Sequence, residues 1–371
     1  MTYCPAPDDW NIQTPAQAGM RAAALEAAVA YHRAHESTWR RDFLTESGRY
    51  IGVADEPPSA DDVLGPVRPR TGANGLILRG GAIVAEWGDT ARADMTFSVA
   101  KSYLAVLAGL AVAQGLIRSI NDRAGDYALD EGFASEQNRD ITWRHLLQQT
   151  SEWQGALWGK PDSIDHNRDV GKSELGFAHK GQPRPLRPPG TLWEYNDVRV
   201  NRLSLSLLQV FRRPLPAVLK EAVMDPVGAG SGWEWHGYRN SHVDIDGARM
   251  VSVPGGSHWG GGLWMSTRDH ARFGLLMQRG GWWNGRALVA EAWITEMRRP
   301  CPINPQYGLL WWLNTGRTQF TAAPESSYAA RGAGSNLIWI DPEHDLVAVV
   351  RWIDKASMNG FIQLVLEAVE S

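Results

Sequence analysis

Residues 99–113 form a run rich in Ala and Leu that is apolar throughout except for Lys101 and Ser102, and the run ends shortly before Gly115. Because it has no polar face, it predicts a helix that is buried on all sides rather than one that lies on the surface. A glycine just past the last apolar residue is typical of a helix C-terminus. We therefore expect this helix to lie at the centre of the core.

Ser98 stands at the start of this predicted helix, and Lys101 follows three residues later. Helical geometry places the two side chains together, so a nucleophile would lie beside a candidate base. Apolar surroundings and the positive end of the helix both favour a lowered lysine pKa, and a neutral lysine could accept the serine proton. The alternative is that Ser98 only caps the helix and Lys101 is solvated. The pattern by itself leaves both interpretations open.

Composition narrows the class of protein. The chain has 371 residues, of which 43% are hydrophobic and 21% charged, which is typical of a globular protein with one large or two medium cores. A net charge of -4 gives no basic surface for nucleic acid, and we see no cationic amphipathic segment for a membrane surface. We therefore expect a small-molecule partner and leave the oligomeric state open.

The cysteines and the first residues bear on the compartment. Cys4 and Cys301 are the only cysteines and lie far apart, so a structural disulfide is not expected. The first ten residues have neither the basic nor the apolar region of a secretory signal. We expect a cytoplasmic protein.

Periodicity predicts an α+β fold. Strand patterns occur in a hairpin at 75–88 and again at 308–314, 335–341 and 346–352. Helix patterns occur at 15–35, 141–149, 200–211 and 358–369. No convincing strand pattern occurs between 120 and 233, and 46–71 has the Pro, Asp and Gly content of a long loop. We expect an antiparallel sheet assembled from both ends of the chain, with a helical insert between them.

Two further segments are candidates for a functional site. Tyr195, Asn196 and Asp197 lie on a loop that enters a predicted helix, where they could either carry function or simply cap the helix through Asp197, with Tyr195 packed beneath. Gly332 follows Arg331 among small residues, which would let a ligand approach the backbone or would merely form a tight turn.

Several common sites are not predicted. The ten histidines form no metal-binding pattern, and His32 and His35 on the first helix are expected to be solvated. The glycine patterns of nucleotide-binding loops and of the α/β-hydrolase nucleophile turn are also missing from the sequence. We expect neither a metal nor a cofactor.

Taken together and in this order, Ser98-Val99-Ala100-Lys101, Tyr195-Asn196-Asp197 and Arg331-Gly332 resemble the serine β-lactamase and penicillin-binding-protein-like family. The closest branch contains class C β-lactamases, esterases and hydrolases of the 6-aminohexanoate-dimer type. Segments 141–151, 261–274 and 340–342 are similar to that family as well. The resemblance implies a β-lactamase/transpeptidase-like fold: a sheet subdomain of residues 1–95 and 256–371, an all-helical subdomain of residues 96–255, and an active site at their interface.

The resemblance also implies roles for individual residues. Ser98 would be the nucleophile of an acyl-enzyme, Lys101 its base, and Tyr195 the group that activates water or protonates the leaving group. Backbone N–H groups of Ser98 and Ala333 would form the oxyanion hole. The implied substrate-binding residues are Asn196, Asp197, Arg331 and Gly332.

Two departures from the family pattern bear on the substrate. The family's Tyr-x-Asn ends here in Asp197, which cannot donate a hydrogen bond to a substrate carbonyl as an asparagine can. The family's Lys-Thr-Gly or His-Thr-Gly is replaced by Ala330-Arg331-Gly332, so a β-lactam carboxylate loses its usual partner unless Arg331 turns inward. Both favour a hydrolase of small esters or amides, with a β-lactamase or D-peptidase second and a catalytically silent binding protein third.

Overall fold

The computed structural model describes residues 3–7, 9–44, 68–168, 170, 179–255 and 262–370. The predicted loop at 46–71 therefore lies almost wholly outside the described residues, as does residue 261 of the family-like segment 261–274. The helices are α1 Ala22–Ala34, α2 Ala100–Ala113, α3 Trp143–Leu147, α4 Asp197–Phe211, α5 Leu215–Leu219, α6 Thr267–Gln278, α7 Glu291–Met297 and α8 Met358–Glu367. The strands are β1 Asn74–Arg79, β2 Ala82–Trp87, β3 Asp94–Met95, β4 Ala156–Leu157, β5 Lys160–Pro161, β6 Glu234–Trp235, β7 His242–Ile245, β8 Ala248–Val251, β9 Leu263–Met265, β10 Trp282–Trp283, β11 Arg286–Ala287, β12 Trp312–Leu313, β13 Tyr328–Gly332, β14 Asn336–Asp341 and β15 Leu346–Arg351.

The main sheet has six strands in the order β12-β13-β14-β15-β1-β2, and every neighbouring pair is antiparallel. Strand β1 pairs with β15, so the two ends of the chain meet in the middle of the sheet. This confirms the α+β class and the assembly of the sheet from both ends. One strand of this six-stranded sheet was not predicted: β13 ends in Ala-Ala-Arg-Gly, residues of low strand propensity, and its pairing with β14 outweighs that propensity.

The strands of this sheet are buried on both faces, with successive residues on opposite sides. Leu76 and Leu78 of β1 face a core shared with α2, α4 and α6, whereas Ile77 faces a second core shared with α1 and α8. The second core also contains His32 of α1, which is fully buried and accepts a hydrogen bond at 3.1 Å from the indole N–H of Trp87. The prediction that His32 is solvated is therefore wrong.

Helix α2 is the central helix that its composition predicts. Every residue from 100 to 111 is buried. At its end the N–H of Gly115 donates to the carbonyl of Val112 and the N–H of Leu116 to that of Ala111, while Gly115 takes a φ of 71°. This is the Schellman arrangement that a C-terminal glycine favours, so the predicted end of the helix is confirmed.

The segment between the two parts of the sheet contains α3, α4 and α5, as expected of a helical insert. It also contains two short hairpins, β4–β5 and β7–β8, so it is not all-helical. The subdomain boundaries at 95/96 and 255/256 stay a prediction. No helix in the described ranges combines the length and the apolar content needed to cross a bilayer.

Candidate active site

Ser98 lies on a short 3₁₀ turn, Phe97–Val99, that leads from β3 directly into α2. The residue before it, Phe97, has a φ of 51°, a left-handed conformation that costs an L-residue about 1–3 kcal/mol. The ring of Phe97 packs against those of Trp39 and Trp352, with centroids 5.3 and 6.1 Å away. These contacts hold the strained turn that presents Ser98.

The side chains of Ser98 and Lys101 are joined as their spacing predicts. Lys101 Nζ donates to Ser98 Oγ at 2.8 Å. Ser98 makes no capping hydrogen bond to the helix, and Lys101 is 1% exposed. The interpretation of Ser98 as a cap and of Lys101 as a solvated residue is therefore wrong.

Lys101 also forms an ion pair with Asp197, whose Oδ1 lies 2.7 Å from Nζ. The other carboxylate oxygen of Asp197 accepts from Arg168 Nη1 at 2.6 Å. Burial acts to lower the pKa of Lys101, but the Asp197 carboxylate and Tyr195 together outweigh it, and the net pKa is raised. For Asp197, burial acts to raise the pKa, but Arg168 and Lys101 together hold it well below its usual range. The prediction that apolar surroundings and the helix end lower the lysine pKa is wrong, because the Asp197 carboxylate lies in contact with Nζ.

Asn196, not Asp197, caps α4. Its side-chain oxygen accepts from the N–H of Arg199 at 3.1 Å, and its Nδ2 donates to the carbonyl of Asp162 at 2.8 Å. Asn196 is fully buried, so these contacts use its amide for structure and do not support the predicted substrate contact. Asp197 is also buried and its carboxylate points at Lys101 and Arg168, so it acts on those cations rather than on a substrate carbonyl.

Tyr195 is buried against Trp312 and lies next to Lys101 and Arg168. Its ring stacks on that of Trp312, with centroids 5.9 Å apart. Two cations approach the ring: Lys101 Nζ lies 4.7 Å and Arg168 Cζ 5.1 Å from its centroid. Tyr195 thus stands among the charged groups that a proton transfer at Ser98 would involve.

The end of β13 packs against the backbone of the serine turn. A Cβ on Gly332 would lie 2.3 Å from the carbonyl oxygen of Thr96 and 3.3 Å from the amide nitrogen of Ser98. Only glycine allows this approach, which places Ala333 beside Ser98, where two N–H groups could face one oxyanion. Arg331 and Gly332 end β13, and the strand predicted at 335–341 follows as β14.

A buried arginine ties the two sides of this arrangement together. Arg351 donates to the carbonyl of Met95, three residues before Ser98, and to Oδ1 of Asn336, both at 2.5 Å. Nδ2 of Asn336 in turn donates to the carbonyl of Ala333 at 2.7 Å. The guanidinium of Arg351 therefore helps to hold both the turn that carries Ser98 and the backbone at Ala333.

These groups surround a cavity of about 310 Å³, which is in the range of small-ligand sites. Its lining is Ser37, Thr38, Trp39, Ser98, Arg168, Val170, Tyr195, Trp312, Arg331, Gly332, Ala333, Gly334, Ser335, Asn336, Asp354, Lys355 and Met358. A larger groove of about 760 Å³ lies between α1 and β2, but small and aliphatic residues dominate its wall and it contains no nucleophile. The smaller cavity is the candidate active site.

A family model described as Beta-lactamase matches residues 68–355, most of the chain. The chain belongs to the β-lactamase family. Members of this family are serine hydrolases, among them esterases, amidases and β-lactamases, and this protein is a hydrolase of that group. The resemblance inferred from the three sequence patterns is confirmed.

Solved structures of the β-lactamase family share the fold. A penicillin-binding protein homologue from Caulobacter crescentus is 14% identical, with a TM-score of 0.60 over 93% of this chain and 97% of that one. A protein described as a 6-aminohexanoate-dimer hydrolase from Bacillus anthracis is 14% identical, with a TM-score of 0.58 over 83% of both chains. The hydrolase EstCE1 is 16% identical, with a TM-score of 0.56 over 81% of this chain and 94% of that one. No curated protein sequence matches the chain.

Sequence reasoning missed three residues of the site in this β-lactamase-family protein. Arg168 pairs with Asp197, and Trp39 and Trp312 form aromatic walls of the cavity. An aspartate in place of the family's asparagine indicates that a cation should lie nearby, but nothing selects Arg168 among 37 Lys and Arg residues. No sequence feature near Trp39 or Trp312 distinguishes them from the other Trp residues, most of which were expected in the core.

Proposed function

We propose that this protein hydrolyses small carboxylic esters or amides through an acyl-enzyme formed on Ser98. The observation that carries the proposal is the contact between Ser98 Oγ and Lys101 Nζ at 2.8 Å in the wall of the cavity. A hydroxyl within hydrogen-bond reach of an amine, beside two backbone N–H groups, is the arrangement that acyl transfer requires.

In the first step Ser98 Oγ attacks the substrate carbonyl carbon, and the carbonyl π electrons move to its oxygen. The N–H groups of Ser98 and Ala333 hold that oxyanion. The serine proton goes to Lys101, which must first be neutral. Because Asp197 favours the ammonium, only a small share of the resting enzyme holds Lys101 in the competent form at neutral pH.

In the second step the oxyanion collapses, the bond to the leaving group breaks, and the leaving oxygen or nitrogen takes up a proton. Tyr195 is the proposed donor, because it lines the cavity next to Lys101 and can be reprotonated by the lysine. Lys101 is then neutral again, so water can attack the acyl carbon and give a proton to Tyr195 while Tyr195 passes its phenolic proton to Lys101. When the second oxyanion collapses, the bond to Ser98 Oγ breaks, Ser98 Oγ takes up the proton from Lys101, and the acid leaves.

The cavity supports small substrates with an apolar part. Its volume is about 310 Å³, and Trp39, Trp312 and Met358 contribute apolar wall. The structural relatives include a protein described as a 6-aminohexanoate-dimer hydrolase and a hydrolase with promiscuous acyltransferase activity, both consistent with ester or amide chemistry. The proposal includes a cytoplasmic location and a small-molecule substrate. It includes neither nucleic acid nor a membrane as a partner.

The test compares turnover of p-nitrophenyl butyrate with that of nitrocefin, a chromogenic β-lactam. We expect the wild type to hydrolyse the ester with a higher kcat/KM than nitrocefin. Ser98→Ala should abolish turnover. Ser326→Ala, the same change at an exposed serine, should leave turnover unchanged. A higher kcat/KM for nitrocefin would instead favour a β-lactamase or D-peptidase. Turnover of neither would favour a silent binding protein.

A further inference from the structure

One wall of the cavity comes from a segment that precedes the residues matched by the family model. Ser37, Thr38 and Trp39 line the cavity, whereas the match begins at residue 68. These three residues belong to the segment 36–44, which follows α1. The contacts of this segment indicate what it contributes to the site.

The start of the segment 36–44 is bonded to the chain that follows β15. The N–H of Ser37 donates to the carbonyl of Trp352 at 2.7 Å, and the N–H of Asp354 donates to the carbonyl of His35 at 2.8 Å. Asp354 also lines the cavity. The segment and the chain after β15 therefore form one continuous part of the cavity wall.

Three aromatic residues with left-handed backbone pack on one another where this segment meets the serine turn. They are Phe43 of the segment, Phe97 of the turn and Trp352 directly after β15, with φ angles of 57°, 51° and 64°. The ring of Phe43 lies 5.5 Å from that of Trp352 and 6.1 Å from that of Phe97. A left-handed conformation is unfavourable for such residues, persists only where the surroundings enforce it, and is concentrated at functional sites. This clustering indicates that the segment belongs to the active site.

Arg70 binds the backbone of the segment. It is 4% exposed, and its guanidinium nitrogens make five hydrogen bonds of 2.5–3.1 Å, which matches the five N–H donors of the group. The acceptors are the carboxylate of Glu36 and the carbonyls of Ser37, Trp39 and Thr71. Two of the five bonds go to the carbonyl of Trp39. Arg70 therefore fixes the backbone at Trp39.

The Trp39 side chain contacts both the serine turn and the cavity. Its ring packs against that of Phe97 with centroids 5.3 Å apart and an interplanar angle of 87°. The residue is half-buried and lines the cavity that contains Ser98. Because Arg70 holds its backbone and Phe97 its ring, the indole forms a rigid apolar surface beside the nucleophile.

Two groups of aromatic residues border the cavity, and the mechanism assigns them to different parts of the substrate. Tyr195, the proposed proton donor to the leaving group, stacks on Trp312. Trp39 instead packs with the group that contains Phe97 and Trp352. The leaving group must lie towards Tyr195, so the acyl group, on the other side of the reacting carbonyl, lies towards Trp39.

We infer that Trp39 binds an apolar acyl chain of the substrate, and that Arg70 is the positioning residue that holds Trp39 in place. The inference rests on the proposed function, because it names the acyl group that the same site selects. Methylene groups that pack on the indole leave water, and each is worth about three- to fourfold in affinity. The site should therefore favour an acyl chain longer than acetyl.

The test compares p-nitrophenyl acetate with p-nitrophenyl butyrate, whose acyl chains differ by two methylene groups. We expect about a tenfold higher kcat/KM for the butyrate in the wild type, mainly through KM. Trp39→Ala should reduce this ratio to about threefold or less and keep kcat/KM for the acetate within a few-fold of wild type. The matched control is Trp282→Ala, the same change at a tryptophan of β10 that is 47% exposed and lies outside the cavity lining, and it should keep the full ratio.

Arg70→Gln tests the positioning role. It should lower the butyrate-to-acetate ratio as Trp39→Ala does, and Arg70→Lys, with three donors in place of five, should retain part of the ratio. Arg70→Gln and Trp39→Ala combined should be no less selective than Trp39→Ala alone, because Arg70 acts through Trp39. The matched control is Arg272→Gln, at another buried arginine that donates to backbone carbonyls but lies outside the cavity lining. It should lower stability and keep the ratio.

Three results would overturn the inference. One is an unchanged butyrate-to-acetate ratio in Trp39→Ala, and another is an equal loss of the ratio in Arg272→Gln and Arg70→Gln. The third concerns methyl butyrate and butyl butyrate, which differ only in the leaving group: an effect of Trp39→Ala confined to this pair would place Trp39 beside the leaving group. If circular dichroism shows that Arg70→Gln does not fold, Arg70→Lys decides the positioning role, and an unchanged ratio there would contradict it.

A binding measurement separates this inference from the proposed function. Titration calorimetry of Ser98→Ala with p-nitrophenyl acetate and with p-nitrophenyl butyrate needs no turnover. Tighter binding of the butyrate, lost in Ser98→Ala/Trp39→Ala, supports the inference even if no ester is hydrolysed. Equal binding of the two esters by a protein that hydrolyses both contradicts the inference and leaves the proposed function standing.

Discussion

Asp197→Asn changes the charge next to the proposed base while keeping the size of the side chain. The wild-type carboxylate lies 2.7 Å from Lys101 Nζ and favours the ammonium. An opposite charge at such range typically moves a pKa by about 1–3 units, each worth about 1.4 kcal/mol. We therefore expect the pKa of Lys101 to fall in this variant. Arg168, which repels the ammonium, loses its closest carboxylate in this variant and acts in the same direction.

The assay is the pH dependence of kcat/KM for p-nitrophenyl butyrate, which reports the free enzyme. If neutral Lys101 accepts the serine proton, kcat/KM rises with pH through the lysine pKa, and in Asp197→Asn this rise should occur at lower pH by the same interval. The gain in rate at neutral pH should be smaller than the shift, because a weaker base transfers the proton less readily.

The matched control is Asp130→Asn, which removes a carboxylate paired with Arg202 outside the cavity lining. Its pH profile should match that of the wild type. An unchanged profile in Asp197→Asn as well would show that Lys101 is not the proton acceptor and would transfer that role to Tyr195.

Two further predictions concern the packing around the site and the buried histidine. Gly332→Ala would place a Cβ 2.3 Å from the Thr96 carbonyl oxygen, between two backbones. We expect a loss of about 1–3 kcal/mol in unfolding free energy and at least a tenfold lower kcat/KM. Gly232→Ala, where the Cβ meets open space, should change neither quantity, and equal behaviour of the two variants would contradict the packing argument. Burial lowers the pKa of His32 from 6.5 to about 4, so its neutral form stabilises the fold fully above pH 6.5, and this stability is lost as the pH falls towards 4, by about 3 kcal/mol. His32→Asn keeps an acceptor for Trp87, so denaturant titrations at pH 7 and 4 should show a smaller loss of stability than in the wild type, and an equal loss in both proteins would contradict this assignment.

The elements that the sequence predicts well are those in which local pattern and tertiary environment agree. Helix α2 has apolar residues on every side and a glycine at its end, and strands β14 and β15 are continuous apolar runs, so burial on all sides is the only environment that suits them. The joining of Ser98 and Lys101 follows from helical spacing alone. These features need no knowledge of distant partners.

The features that could not be predicted depend on partners far away in the sequence. Strand β13 has little propensity of its own and forms because β14 lies beside it. The pKa of Lys101 depends on Asp197 and Arg168, which arrive from two other segments. His32 was expected in solvent, but the indole N–H of Trp87, 55 residues away in the sequence, donates to it in the core.

The central claim is that Ser98 is the nucleophile, and covalent labelling with a fluorophosphonate tests it most directly. The serine oxygen forms a bond to phosphorus and displaces fluoride, which gives an adduct that resembles the first tetrahedral intermediate and is not hydrolysed. We expect one label per chain, mapped by peptide mass spectrometry to Ser98, with ester hydrolysis lost in proportion to labelling and no label in Ser98→Ala. A label on Ser37 or Ser335, the other two serines of the cavity lining, or full activity in a completely labelled protein would contradict the account.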